Sequence, residues 1–257
     1  MRLVALLCRI ADFWPGAAAG TELLAREIGS RQGVEPRLIG SATEPRRAPF
    51  DEDLRDGHGC LLEAGGQIED ALAAGERPVL VAGDCSIAIT TLPAVVRERP
   101  GATFLWLDAH GDFNSPDTTP SRFLGGMGLA AACGVWDAGF DVPPVDPARV
   151  VMCGVRDLDG GEQVLLETNG VVRITRPATL AEALAGREVF VHLDLDVLDP
   201  SVLPAAFPVA GGLSDGGLRT LLAEVADSCD VIGAEITGFT TPELVELIAT
   251  VVDPLVG

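Results

Sequence analysis

Three short stretches hold most of the residues able to do chemistry in this 257-residue chain. They are Ala82-Gly83-Asp84-Cys85-Ser86, the run Trp106-Leu107-Asp108-Ala109-His110-Gly111-Asp112-Phe113-Asn114, and the run His192-Leu193-Asp194-Leu195-Asp196-Val197-Leu198-Asp199-Pro200. Asp108, His110 and Asp112 stand at alternate positions, as do Asp194 and Asp196. Several carboxylates gathered in a protein interior repel one another and lose their hydration, a cost that only a cation offsets. Four aspartates and one imidazole suit a hard divalent ion such as Mn²⁺ better than a soft one. Two such ions side by side turn water into a nucleophile at neutral pH. A lone D-x-D pattern is weak, because aspartates also cap helices and turns, and Asp199-Pro200 reads as such a turn. Two clusters of this kind, one with a histidine and both following apolar runs, read as a metal site.

The elements that must position these residues alternate along the chain. Nearly continuous apolar runs predict strands at Leu3–Cys8, Pro78–Ala82, Thr103–Leu107, Val150–Gly154, Val171–Ile174, Val189–Leu195 and Val231–Ile236. Helical patterns fall between them at Thr21–Arg31, Asp51–Ala74, Ser86–Arg97, Leu180–Ala185, Ser214–Ser228 and Thr241–Val252. This order predicts a three-layer α/β/α fold with a central, mostly parallel sheet, in one domain over residues 1–257. The two least regular stretches, Gly111–Leu129 and Pro200–Leu213, each follow a strand that ends in aspartates. In open α/β sheets ligands bind outside the carboxyl ends of the strands, so these loops are expected to frame the site.

Composition narrows the partners. The chain carries 38 acidic and 18 basic residues, for a net charge of −20. That balance disfavours nucleic acid and anionic membrane surfaces and favours cations, whether metal ions or a guanidinium or amine substrate. Every basic residue is arginine and tyrosine is absent, which excludes a Schiff-base lysine and a tyrosine acid. The six cysteines are scattered with no C-x-x-C pair, unlike a zinc knuckle or a disulfide scaffold. Cys8, Cys133, Cys153 and Cys229 fall on apolar runs and are expected in the core. The N-terminal apolar run is broken by Arg9 and Asp12 and reads as a strand; with no span of transmembrane length, a cytoplasmic location is expected. Association into a homo-oligomer is left open.

The three clusters resemble the signatures of the ureohydrolase superfamily (arginase, agmatinase, formiminoglutamase): G-G-D-H-S, D-A-H-x-D and S-x-D-x-D-x-x-D-P. The resemblance runs in order over almost the whole chain. It implies an arginase-like fold and two Mn²⁺ ions. Asp108, Asp112 and Asp194 would then ligate one ion, and Asp108, His110, Asp194 and Asp196 the other. The run Trp106–Leu129 is similar, without a gap, to the arginase form of this loop. That similarity implies that Asn114, Thr119 and Ser121 hold a substrate α-carboxylate, and that Asp159 and Glu162 face its α-amino group. Glu235 is matched to the acidic residue that pairs with a guanidinium. A small-molecule guanidino amino acid is the implied substrate, with Asp112 and Glu235 in the catalytic roles.

The chain also departs from the signatures. Cys85 stands where they have a histidine ligand, and the sequence leaves open whether its sulfur bonds metal. Gly125 replaces a histidine associated with proton shuttling, Phe123 replaces an asparagine, and Pro204–Pro208 is one residue shorter than its counterpart and lacks its hydroxyls. These changes are expected to open and dry the guanidino end. A cysteine for a histidine ligand beside an arginase-like loop is similar to the branch of the superfamily found in cycloserine biosynthesis. That resemblance implies cleavage of a less basic N-hydroxyguanidine: Nω-hydroxy-L-arginine to L-ornithine and hydroxyurea. Hydrolysis of arginine or of another guanidino or formimino acid is the second reading. A catalytically silent ureohydrolase-like binding protein is the third. His192, where the signature usually has serine, reads equally as a partner of the ligands or as a core histidine.

Overall fold

Along each central strand, successive side chains enter two separate apolar cores. Leu3 and Ala5, Val79 and Val81, and Leu105 and Leu107 pack into one of them, while Val4 and Leu6, Leu80, and Phe104 and Trp106 pack into the other. Because side chains alternate across a strand, a segment apolar at every position must be covered on both faces. The computed structural model, which describes residues 1–257, shows that arrangement. The strands are β1 (Arg2–Leu6), β2 (Arg37–Ile39), β3 (Pro78–Val81), β4 (Thr103–Leu107), β5 (Val150–Cys153), β6 (Val172–Ile174), β7 (Glu188–Asp194) and β8 (Asp230–Thr237). They form one sheet in the order β2-β1-β3-β8-β7-β4-β5-β6, and every pairing is parallel.

The helices are α1 (Ala17–Gln32), α2 (Phe50–Ala73), α3 (Ala88–Glu98), α4 (Gly128–Ala132), α5 (Gly160–Asn169), α6 (Leu180–Leu184), α7 (Asp215–Ser228) and α8 (Val245–Val256). Helices α1, α6, α7 and α8 bury their apolar stripes in the core of Leu105 and Leu107. On the other face, α2, α3, α4 and α5 pack over Phe104 and Trp106. The three-layer α/β/α fold is the one the alternation predicts, and the sheet is parallel throughout rather than mostly so. None of the helices is long and apolar enough to cross a membrane.

The sequence pattern missed β2, α4 and α5. Strand β2 is three residues long and lies at the sheet edge, with Arg37 and Leu38 exposed, so it shows no apolar run. Helix α5 opens on two glycines, and its start is set instead by a capping box between Asp159 and Glu162. Cys8 departs from its expected core position. It is half-buried and forms a disulfide with Cys60 of α2, tying the end of β1 to that helix across 52 residues. Cys229 is also only half-buried, whereas Cys133 and Cys153 lie in the core.

Chain order explains where the site lies. From β1 the chain steps outward to β2 and back to β3, then crosses to β4 and continues through β5 to β6; β7 and β8 later fill the gap between β3 and β4. The carboxyl ends of β3, β8, β7 and β4 are therefore neighbours at the centre of the sheet, where the direction of winding changes. Helix α1 closes over the end of β8 at Gly20, where an added Cβ would lie 2.2 Å from the Phe239 carbonyl oxygen. Gly20→Ala is expected to push α1 away from the Gly238–Thr240 turn and to lower stability by roughly 1–3 kcal/mol, read from urea unfolding midpoints. An unchanged midpoint would show that this contact relaxes freely.

Candidate active site

A cavity of about 450 Å³ opens above the four central strand ends. Its floor is built by three turns. After β3, the Asp84 carboxylate accepts from the backbone N–H groups of Ala11, Asp12 and Ser86, at 3.1, 3.0 and 2.9 Å. The loop after β1 is thereby fastened to the turn that presents Cys85. After β4, Asp108 Oδ1 accepts from the His110 N–H at 2.7 Å, and Asp108 Oδ2 accepts from the indole N–H of Trp106 at 3.1 Å. After β7, Asp194 accepts from the Asp196 N–H at 2.8 Å, and Asp196 accepts from the Ala109 N–H at 3.0 Å, which stitches the two aspartate turns together.

These turns bring six of the sequence-selected residues to one place. Cys85, Asp108, His110, Asp112, Asp194 and Asp196 all line the cavity. Cys85 Sγ lies 2.9 Å from Asp194 Oδ2, 4.0 Å from Asp108 Oδ2 and 3.3 Å from Thr237 Oγ1. His110 Nδ1 lies 3.0 Å from Asp196 and 3.4 Å from Asp108. Asp112 sits at φ 48°, a left-handed backbone that costs a side-chain-bearing residue about 1–2 kcal/mol. Its carbonyl is held there by the N–H groups of Leu129 and Ala130 at the start of α4.

With protein groups alone the charges do not balance. Burial, followed by repulsion from neighbouring aspartates, pushes Asp108 well above the usual carboxylate range; burial does the same to Asp112. Asp194 is raised to about 6, again chiefly by burial. Burial and the nearby aspartates also hold the Cys85 thiol well above its ordinary value. His110, though disfavoured as a cation by burial, is pushed up to about 12 by its hydrogen bonds to Asp108 and Asp196. The cluster is short of positive charge in a buried place, and its oxygen, imidazole and thiol donors fit divalent metal ions.

The rim is built by the irregular loops. Asn114 donates to Asp159 at 3.0 Å, and both line the cavity together with Ser121 and Glu162. Both Glu162 carboxylate oxygens accept backbone N–H groups, from Phe113 at 2.8 Å and from Asp159 at 3.2 Å. Glu162 therefore braces the loop as well as facing the cavity. Thr119 lies behind Ser121, where its hydroxyl accepts from the Arg122 N–H at 3.0 Å, and it does not line the cavity.

The expected position of Glu235 is corrected. It lies within β8, opposite Leu80 and His192, wholly buried beneath the floor, and its carboxylate meets His192 Nδ1 at 2.6 Å. A residue three positions further along, Gly238, forms the cavity wall at the end of β8. With φ 81° and an added Cβ only 2.7 Å from Asp194 Oδ1, Gly238 leaves no room for a side chain. The opening expected at Gly125 is corrected too: the Phe123 ring occupies the space a Cβ there would enter, and Gly126 faces the cavity.

Two features of the rim were not read from the sequence. Trp14 joins Phe123 and Phe207 as an aromatic roof, with ring centroids 5.2–6.3 Å apart, and Phe207 approaches His110 edge-on at 6.2 Å. The roof gathers residues from three distant loops, and no local spacing signals it. Arg156 carries its guanidinium under the loop after β7, donating to the carbonyls of Asp196, Val197, Leu198 and Val209. Its signal was available: it is an arginine just beyond a strand end.

Residues 53–246 match the model of the arginase family. The N(omega)-hydroxy-L-arginine amidinohydrolase of Streptomyces lavendulae is 32% identical over 239 residues, covering 91% of this chain and 86% of that protein. The arginase of Brevibacillus brevis is 30% identical over 241 residues, covering 86% and 80%. Arginase from Bacillus cereus superposes with a TM-score of 0.85 at 24% identity, over 100% of this chain and 97% of the other. The chain belongs to the arginase family, and it is a hydrolase acting on amidines.

The loop after β7 offers a direct test of how the rim is held. Asp199 accepts from Ser201, Gly211 and Gly212, and its hydrogen bonds with the Ser201 hydroxyl and backbone lower its pKa to about 2. A depressed carboxylate favours the folded loop above its unfolded pKa of about 4, and that contribution fades as pH falls towards 2. Asp199→Ala is expected to speed amide hydrogen exchange across residues 201–212 at neutral pH, and wild type is expected to approach the variant near pH 2. Equal exchange at neutral pH would remove Asp199 from this role.

Proposed function

We propose that this enzyme is a dinuclear manganese amidinohydrolase that converts Nω-hydroxy-L-arginine and water to L-ornithine and hydroxyurea. The observation that carries the metal reading is the buried to half-buried, cation-poor cluster of Cys85, Asp108, His110, Asp112, Asp194 and Asp196 on one cavity floor. These residues would hold two Mn²⁺ ions, which supply Lewis acidity and a hydroxide nucleophile at neutral pH when bound. The name of the Streptomyces relative, similar over most of both chains, supports the substrate reading.

The chain's own residues divide the substrate between them. Asn114, Ser121 and Asp159 present an amide, a hydroxyl and a carboxylate at one side of the cavity, groups suited to the carboxylate and amine of an amino acid. Ser121 and Thr119 share a 3.5 Å contact, so Thr119 acts by orienting the serine hydroxyl. Glu162 keeps the loop that carries Asp112 and Asn114 in register with α5.

At the reacting end, Asp112 is the acid–base group. It would accept the proton released as water adds to the guanidino carbon and return it to the Nδ that leaves as ornithine's amine. No carboxylate from β8 faces the guanidino group, because Glu235 is engaged with His192 and Gly238 has no side chain. Trp14, Phe123 and Phe207 exclude water from that end instead. With no β8 carboxylate to pair with it under this aromatic roof, a fully charged guanidinium is disfavoured relative to the less basic N-hydroxyguanidine.

Incubation of the Mn²⁺-loaded enzyme with Nω-hydroxy-L-arginine, arginine and agmatine, followed by quantification of hydroxyurea, urea and ornithine, tests this reading. Hydroxyurea from the first compound is expected to exceed urea from the other two. Rapid urea from arginine with little hydroxyurea would replace the substrate and leave the family unchanged. Asp112→Asn is expected to lower kcat by roughly 10²–10⁴-fold at any metal content that survives. Near-wild-type turnover in that variant would exclude the proton-transfer role.

A further inference from the structure

Beneath the cavity floor lies a layer of polar side chains that the reaction does not use. His192 stands in register with Trp106 on one side and Glu235 on the other. Its imidazole stacks on the indole with centroids 3.5 Å apart and planes 2° apart. The indole N–H in turn donates to Asp108 Oδ2 at 3.1 Å. His192 Nδ1 meets Glu235 Oε1 at 2.6 Å, while His192 Nε2, though buried, has no hydrogen-bond partner. Ligating atoms of Cys85, Asp108 and His192 all lie within 4.8 Å of one another.

The tautomer follows from these contacts. Opposite a carboxylate at 2.6 Å, Nδ1 of a neutral imidazole carries the proton and donates it, which leaves Nε2 with a bare lone pair. A buried acceptor left without a donor is costly. The neighbouring thiol does not supply one, because Cys85 Sγ is directed to Asp194 and Thr237. An imidazole that donates one N–H to a carboxylate, keeps its other nitrogen unpartnered and lies beside a thiol and a second carboxylate is arranged as metal-ligating histidines are.

We infer that His192 Nε2 is a ligand of the metal ion next to Cys85, supplying from the layer below the nitrogen that Cys85 removes from the turn after β3. Glu235 orients that imidazole, so it acts as a positioning residue and not as a partner of the substrate. The inference rests on the dinuclear reading and adds to it a site of sulfur, nitrogen and oxygen donors. Such a set prefers an ion of borderline softness, Zn²⁺ or Co²⁺, more strongly than the oxygen-rich site around His110 and Asp196 does.

Metal binding by the apoprotein tests this without recourse to activity. Zn²⁺ and Co²⁺ affinities are measured by chelator competition for wild type, His192→Asn and Glu235→Gln, with folding of each apoprotein checked by circular dichroism. Wild type is expected to bind two ions, and Glu235→Gln to bind one of them roughly 10–100-fold more weakly. His192→Asn is expected to weaken the same ion at least as much, while the other ion is held as before. Two ions bound with unchanged affinities in His192→Asn would overturn the inference and leave the dinuclear reading standing. No ion bound by wild type would overturn both. Should the variants fail to fold, a crystal structure of the Zn²⁺-loaded wild type decides: Nε2 about 2.1 Å from an ion supports the assignment, and Nε2 outside bonding distance overturns it.

Discussion

Crowding of buried carboxylates at the centre of the sheet is the constraint on which the rest of this structure depends. Asp108, Asp112 and Asp194 are buried above neighbouring strand ends, with Asp196 beside them. Burial and repulsion from neighbouring aspartates raise the pKa values of the first three, while hydrogen bonding to His110 keeps that of Asp196 lowered. Backbone N–H groups and the Trp106 indole meet part of the demand for positive partners. His110 meets another part, and divalent ions fit what is left. A sheet packed on both faces is stiff enough to hold such a cluster against its own repulsion, because moving one strand end means repacking two cores.

The same constraint explains why so much of the polar machinery around the site is structural. Asp84 spends both oxygens on the backbone of two loops, Glu162 does likewise, and Arg156 gathers carbonyls from the loop after β7. Each loop is thus fixed by a buried or half-buried side chain reaching its backbone rather than by regular secondary structure. The substrate side can then vary while the floor stays in place. Here the variation is aromatic: Phe123 fills the space beside Gly125, and Phe207 and Trp14 close over it.

Cys85 takes its meaning from its neighbours. An isolated thiol in this position is pushed towards its neutral form by burial and by three aspartates, and acts as a small apolar group. Beside a cation the same thiol becomes a soft donor, and ligand atoms of Cys85, Asp108 and His192 lie within 4.8 Å of one another. Cys85 in the turn after β3 and His192 in β7 thus belong to one cluster of possible donors.

Much of this was legible from the sequence, for a local reason. Strands buried on both faces write continuous apolar runs, and residues at strand ends such as Asp108, His110, Asp194 and Asp196 are placed by the strand they terminate. The parallel α/β/α architecture and the crowding of aspartates therefore follow from short-range pattern. What pattern could not decide was set by contacts between segments far apart in the chain. Glu235 looks like a strand-end acid, yet its register with His192 puts it a layer below the floor. Thr119 and Ser121 share a loop, yet the turn brings only Ser121 to the cavity. Trp14 and Phe207 lie 193 residues apart and meet over His110 because β1 and β7 end on the same side of the sheet. The short strand β2 and the pairing of Cys8 with Cys60 have the same origin, since edge position and long-range proximity leave no mark on neighbouring residues. Residue type and spacing determined which groups could do the chemistry; packing across the sheet decided which of them face the cavity.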